Sequence, residues 1–313
     1  MLILVVITNL TNDTNALMPN PIPVYVIAAP SLAKPALLLL GLTLLTFLPL
    51  LFGLNLPQLP HDVYLPLHTT LEVIAVVIAA MIFAIIREQA LVQMTLRGAV
   101  IASAFFAVFW LDLAHLLSYK GMPAYFSDND PEKAINFWLA ARLLAASAIC
   151  VVMLPVADKA IPLKRYYQLL LSAIALVLIL HYWFILRPVT VPRTYIDGLG
   201  LTRFKIAAEY LVILLNLLTV FLILRYRHQH KVFHMPALLA AVITMMLSEF
   251  YFTLYSEFSD SFNIIGHLLK LLSYLLLYRA LIYETLAAPY AQMQQAEAEL
   301  SATLAAIPDI LFD

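Results

Sequence analysis

The sequence predicts an all-α membrane protein: a bundle of eight transmembrane helices with a cytoplasmic helical linker. Hydrophobic residues make up 63% of the 313-residue chain and charged residues only 12%, against about 45–50% and about 25% in soluble domains. The mean hydropathy is +0.91. Apolar stretches of about 20 residues, the length that spans a bilayer, recur along the chain, and Pro, Asp and Asn mark the loops between them. The net charge of −1 gives the whole chain no attraction for nucleic acid. The single cysteine, Cys150, lies inside an apolar stretch, so no intrachain disulfide and no cysteine-type zinc or iron–sulfur site can form.

Residues 1–33 form an N-terminal segment. Met1 to Ile7 is too short and insufficiently basic for a cleaved leader, and Pro21 to Pro30 reads as interfacial. A membrane-embedded domain follows over 34–285. Its spans are predicted at 35–54, 64–86, 98–119, 134–156, 166–187, 204–225, 233–256 and 261–284. Lys34, Arg87, Arg97, Lys159, Lys164, Arg165, Arg225, Arg227, Lys231 and Arg279 fall at one set of helix ends. Lys120, Lys133, Arg187, Arg193, Arg203 and Lys205 fall at the other. The richer side is cytoplasmic by the positive-inside rule, which places both termini in the cytoplasm of a multi-pass inner-membrane protein. His228, His230 and His234 sit among these basic residues and read as a headgroup-binding loop. With only seven glycines and no internal repeat, close small-residue helix crossings are expected to be few.

The ionisable residues inside the spans cluster toward the outer end of the bundle. The second span carries His68 and Glu72, four apart and so on one face; the third carries Asp112 and His115, with Tyr119 and Lys120 just beyond. Trp138 and Arg142 come from the fourth, Lys205 and Glu209 from the sixth, Glu249 from the seventh, and His267, Lys270 and Tyr274 from the eighth. A charge in hydrocarbon costs about 2.5–3.5 kcal/mol even on lenient scales. Any one of these pairs alone would be an ordinary helix–helix tie. Agreement of six helices at one depth predicts a shared polar pocket.

Its occupant is left open by the residues. A metal ion could use His68, His115 and His267 with Glu72 or Asp112, since imidazole suits zinc, copper or iron. Against it, no metal-binding spacing such as HExxH is present, and Arg142, Lys120 and Lys270 would repel a cation. Two histidines could hold haem, and a histidine network could sense pH with no ligand. A small polar or anionic ligand suits the mixture of Arg, Lys and His with Trp138 and Tyr274 best. No cofactor is required. His181 is placed at the rim of the pocket, and Cys150 in packing.

Six strings carry a resemblance. His68-Thr-Thr-Leu-Glu72, Trp110 to Pro123, Phe137 to Arg142, Leu201 to Tyr210, Leu247 to Leu254 and Asn263 to Lys270 resemble, in order, the third class of membrane-associated sensor domains of bacterial and archaeal signalling proteins. The resemblance spans about 60–285. It implies a sensory input to a cytoplasmic output, a diguanylate cyclase or a histidine kinase with PAS domains, so that cyclic di-GMP or two-component signalling lies downstream. It does not name the stimulus.

Residues 286–306 read as a helical signalling linker, with Leu286, Met293, Ala296, Leu300 and Ile307 near a seven-residue spacing that suits a homodimer. Residues 304–313 resemble the opening of a PAS domain, truncated at 307–313. The chain is therefore expected to be an input fragment that catalyses nothing itself, its partners being the lipid bilayer, a second copy and an unknown small ligand. A transporter is the alternative. Transporters place sites at the midplane on broken, inverted-repeat helices, whereas this stratum is off-centre. No nucleophile elbow, zincin helix or phosphate loop supports an intramembrane enzyme.

Overall fold

The computed structural model describes residues 41, 43, 44, 47, 48, 52, 58–226, 233–255, 257, 259–282 and 288–306. The fold is helical: α1 (His61–Gln93), α2 (Leu96–Leu117), α3 (Pro131–Val152), α4 (Leu163–His181), α5 (Arg203–Tyr226), α6 (Met235–Tyr251), α7 (Ser261–Ile282) and α8 (Ala288–Ala306). Stretches within α1 to α5 and α7 are long and apolar enough to cross a membrane; α6, with 17 residues, is apolar but shorter. The predicted first span at 35–54 lies largely outside the described residues, as do His228 and His230 and the PAS-like segment 307–313.

Local chemistry sets the helix starts. Thr95 caps α2 by accepting from Gly98 N at 3.1 Å. Asp130 caps α3 by accepting from Lys133 N at 2.9 Å, with Pro131 at the first helical position, where its missing N–H costs nothing. His234 Nδ1 accepts from Ala237 N at 3.3 Å and caps α6. His234, read from the sequence as part of a headgroup-binding loop, has its ring turned onto the helix backbone. Several predicted spans end differently, the second running on to Gln93 and the fourth stopping at Val152. The seventh stops at Tyr251 because Phe252 to Leu254 form turns, and the third stops at Leu117. The fifth passes at Tyr182 into a π-helical turn ending at Leu186. Between α4 and α5 the chain forms a two-stranded antiparallel ribbon, Tyr195–Ile196 with Gly200–Leu201, turned through Gly198 at φ 77°.

Six helices close a ring through the contacts α1–α2, α2–α3, α3–α5, α5–α6, α6–α7 and α7–α1, and α4 packs outside against α2. Burial follows this order: 72% of the apolar stretch of α3 is buried, against 11% of that of α4. The apolar core fills the half of the ring near the α1–α2 connection with Ala75, Ala79, Ala99, Ala102, Ala145 and Ala280 among larger Ile82, Phe105 and Ile149. Alanines supply the small interface positions that let helices approach, so the count of seven glycines understates close packing. Cys150 packs in this core. Gly266 marks the tightest approach: a Cβ there would lie 2.6 Å from the Phe252 ring.

The chain divides into two compact units, 30–293 and a second made of 1–29 with 294–313. In the second unit the described residues, 294–306, are helical, and Leu300 and Leu304 are exposed.

Candidate functional site

Four helices deliver an ion-pair lattice. Glu72 comes from α1, Asp112 from α2, Arg142 from α3, and Lys270 and Tyr274 from α7, and all are buried. Arg142 Nη2 donates to Asp112 Oδ1 at 2.8 Å and Oδ2 at 2.7 Å, and also to the Tyr274 hydroxyl. That hydroxyl donates to Asp112 Oδ2 at 2.9 Å. Lys270 Nζ donates to Glu72 Oε2 at 2.6 Å and to Asp112 Oδ1 at 3.3 Å. Trp138 lies under both cations, with its ring 4.5 Å from Lys270 Nζ and 5.0 Å from Arg142 Cζ. Two carboxylates meet two cations, so the lattice is formally neutral and its ions face one another rather than lipid. Buried charges are tolerable only when so paired.

Beside it sits a histidine group. His267 Nδ1 contacts Glu72 Oε1 at 2.8 Å, and His115 Nδ1 contacts the Ala134 carbonyl at 2.8 Å. A carbonyl only accepts, so His115 carries its proton on Nδ1 and presents a bare Nε2. That Nε2 and both ring nitrogens of His68 have no hydrogen-bond partner among the described residues. The His68 ring lies 4.1 Å from the ring of Tyr119, 4.5 Å from His267 and 5.6 Å from His115, with Tyr64 stacked at 5.7 Å. Burial raises the ionisation point of Tyr119, which keeps that phenol a neutral wall. A cavity of about 30 Å³ opens among His115, Tyr119, Lys120, Trp138, Asn263 and His267. That is room for about one water-sized occupant.

A third group lies toward α5 and α6. Lys205 Nζ pairs with Glu209 Oε1 at 2.8 Å, donates to the Phe252 carbonyl and stands 4.7 Å over the Tyr255 ring. Glu249 sits against Glu209, with Lys205 and Arg142 as neighbouring cations. Ser248 Oγ donates to Gly266 O at 2.8 Å and ties α6 to α7.

Residues 59–289 match the family model of MASE3, a membrane-associated sensor domain. The chain belongs to that family. No match was found among curated proteins or among solved structures. The sensor domain takes in α1 to α7 and with them the whole polar layer. It is a membrane protein whose apolar helices suit a lipid bilayer.

Within the sensor domain, His68, Glu72, Asp112, His115, Tyr119, Trp138, Arg142, Lys205, Glu209, Glu249, His267, Lys270 and Tyr274 are all buried in the layer, and Lys120 is exposed at the cavity mouth. His181 is not part of it. On the outlying α4 its ring bonds Val177 O at 2.8 Å and the Tyr125 hydroxyl at 3.2 Å, which corrects its placement at the pocket rim. Sequence reasoning missed Tyr64 and Asn263, which meet at 2.8 Å above His68. The signal was there: each lies four residues before a site histidine, on the same helix face. It also missed Lys133 and Asn129, which bind the loop above the site. Lys133 Nζ donates to the carbonyls of Tyr125, Ser127 and Asp128, and Asn129 Nδ2 to those of Leu117, Met122 and Pro123.

Proposed function

We propose that this chain is the transmembrane input domain of a signalling protein, in which a change in the outer polar layer alters what holds α7 and is passed to a cytoplasmic output. The observation that carries the reading is the position of Lys270. It bridges Glu72 on α1 and Asp112 on α2, while His267, one turn away, takes the other oxygen of Glu72. A stimulus that changes the charge or partners of Glu72 therefore changes two contacts of α7 at once. A stimulus acts only through such differential contacts. The small cavity and the pairing of every lattice cation favour an ion or a proton over an organic ligand.

The rest of the reading is built around that device. Eight spans, with residues 35–54 and α6 completing the set, sit in an inner membrane with both termini cytoplasmic, as the basic helix ends suggest. Residues 286–306 act as the linker. Met293 and Leu300, seven apart and exposed, suit a homodimer of that linker. The PAS-like opening at 304–313 points to a diguanylate cyclase or histidine kinase beyond it, so chemistry belongs to the output and this domain needs no cofactor.

The test joins the chain to a diguanylate cyclase output and reads basal product. Glu72→Gln and Lys270→Met are expected to shift basal output at least threefold, while Leu171→Ala on the outlying α4 leaves it unchanged. Membrane-inserted Glu72→Gln and Lys270→Met variants with wild-type output would overturn the reading.

A further inference from the structure

His68 is the least satisfied polar side chain of the layer. It is wholly buried, and neither of its nitrogens has a partner among the described residues. It points into a group that already has the preparation of a metal site. One ligand atom each from His68, Glu72 and His115 lie within 4.8 Å of one another. His115 is oriented through Nδ1 by a backbone carbonyl, one of the ways in which metal-binding imidazoles are held so that the other nitrogen is free.

We propose that His68, His115 and Glu72, with His267 completing the set, bind a divalent transition-metal ion of the zinc type. Four nitrogens and oxygens at zinc's bond lengths of about 2.0–2.2 Å put neighbouring imidazole centroids roughly 5 Å apart. The three ring spacings, 4.5, 5.6 and 6.3 Å, bracket that value, so side-chain rotations close the site without moving helices. The cavity beside His115 and His267, which His68 and Glu72 do not line, adds room for about one water-sized occupant next to the ion.

The sequence argued against a cation because Arg142, Lys120 and Lys270 would repel it. The structure disposes of each. Arg142 is held by Asp112, Lys270 by Glu72 and Asp112, and Lys120 is exposed. Formal charge does not oppose a cation. Glu72, Asp112 and the hydrogen-bonded Glu209–Glu249 pair, which holds one proton between its two carboxyls, give three negative charges, against three positive from Arg142, Lys205 and Lys270. The remaining buried cation among the described residues, Lys133, has its ammonium on loop oxygens above the layer. Imidazole ligands suit zinc or copper, whereas magnesium and calcium take oxygen ligands.

This proposal rests on the input-domain reading and names what the site senses. Capture of Glu72 by the ion takes that carboxylate from Lys270 and His267, leaving Lys270 to Asp112. The two contacts of α7 with α1 are then exchanged for one through the metal.

The experiment uses the chain purified in detergent with a histidine-free tag, stripped with chelator, loaded with zinc and desalted. About one zinc per chain is expected, with none retained after magnesium loading in its place. His68→Phe, which keeps the ring in its aromatic cage, and His115→Phe should each weaken zinc binding at least tenfold; His181→Phe should not. Zinc should raise the thermal midpoint of the wild type and not of His68→Phe, a readout confined to folded protein. Wild-type chain without zinc, or folded His68→Phe that binds it as tightly, overturns the proposal. The cyclase fusion separates the two readings. Output altered by Glu72→Gln with no zinc bound removes the metal and keeps the input domain. Zinc bound at His68 with output unaffected by both Glu72→Gln and Lys270→Met keeps the metal and removes the input role.

Discussion

The ion-pair lattice and the histidine group share one layer and one residue, Glu72, yet they are built in opposite ways. In the lattice, Arg142, Asp112, Lys270 and Tyr274 are bound to one another across α2, α3 and α7. Its ions have nowhere better to go. In the histidine group, three ring nitrogens face no partner among the described residues, and contact is by aromatic packing around His68. An ion-paired buried network fixes a structure even where single donors, here Arg142 Nε and Nη1, have no partner among the described residues, whereas a buried imidazole with neither nitrogen bonded sits at a cost of about 1–3 kcal/mol that a ligand can relieve. On the proposed reading, the lattice holds the helices and the histidines receive the stimulus.

The largest effect is expected where the lattice is broken. Asp112→Ala strands Arg142 in a buried site and should cost about 3–5 kcal/mol, read as a steep fall in folded yield and thermal midpoint in detergent. A midpoint near that of the wild type would mean that the lattice is not the frame. Glu72→Gln strikes the residue common to both groups. It keeps the shape and removes the charge that Lys270 and His267 share, with an expected loss of about 1.5–3 kcal/mol, typical of a hydrogen bond to an ion. Chemical denaturation of the two variants should rank them in that order.

A weaker and more local effect is expected above the layer. Lys133→Met removes the ammonium that gathers the Tyr125, Ser127 and Asp128 carbonyls, so amide exchange should quicken in residues 121–129 with little change in α1 or α7. Exchange that quickens throughout the bundle would place Lys133 in the frame instead. The smallest effect belongs to α4. Leu171, 64% exposed on the outlying helix, can become alanine with a change within about 0.5 kcal/mol.

The membrane class, the helices of the ring and the layer itself were legible because charge in an apolar stretch is rare and because spacings of three and four residues place His68 with Glu72, Trp138 with Arg142 and Lys270 with Tyr274 on common faces. Which of those residues pair was not legible. Lys205 does pair with Glu209 on its own helix, but Arg142 finds Asp112 thirty residues away and Lys270 finds Glu72 nearly two hundred away, and only the ring order of helices decides that. The same order explains why His181, which looked equivalent to the other histidines in depth, falls outside: α4 packs on α2 from without. Small-residue packing was underestimated because alanine, common in any apolar helix, carries no signal until its burial is seen. Tyr64, Asn263 and Lys133 escaped notice because polar residues at helix entrances are ordinary.

The thermal midpoint of His68→Phe, measured beside wild type and Asp112→Ala in one detergent without added metal, tests the division of the layer most directly. A slightly larger apolar ring without unpartnered nitrogens should keep the midpoint near that of the wild type, the relief of an unsatisfied buried polar group offsetting the added bulk. A fall comparable to that of Asp112→Ala would show that His68 is part of the frame, and the distinction between a fixed lattice and a receptive histidine group would be lost.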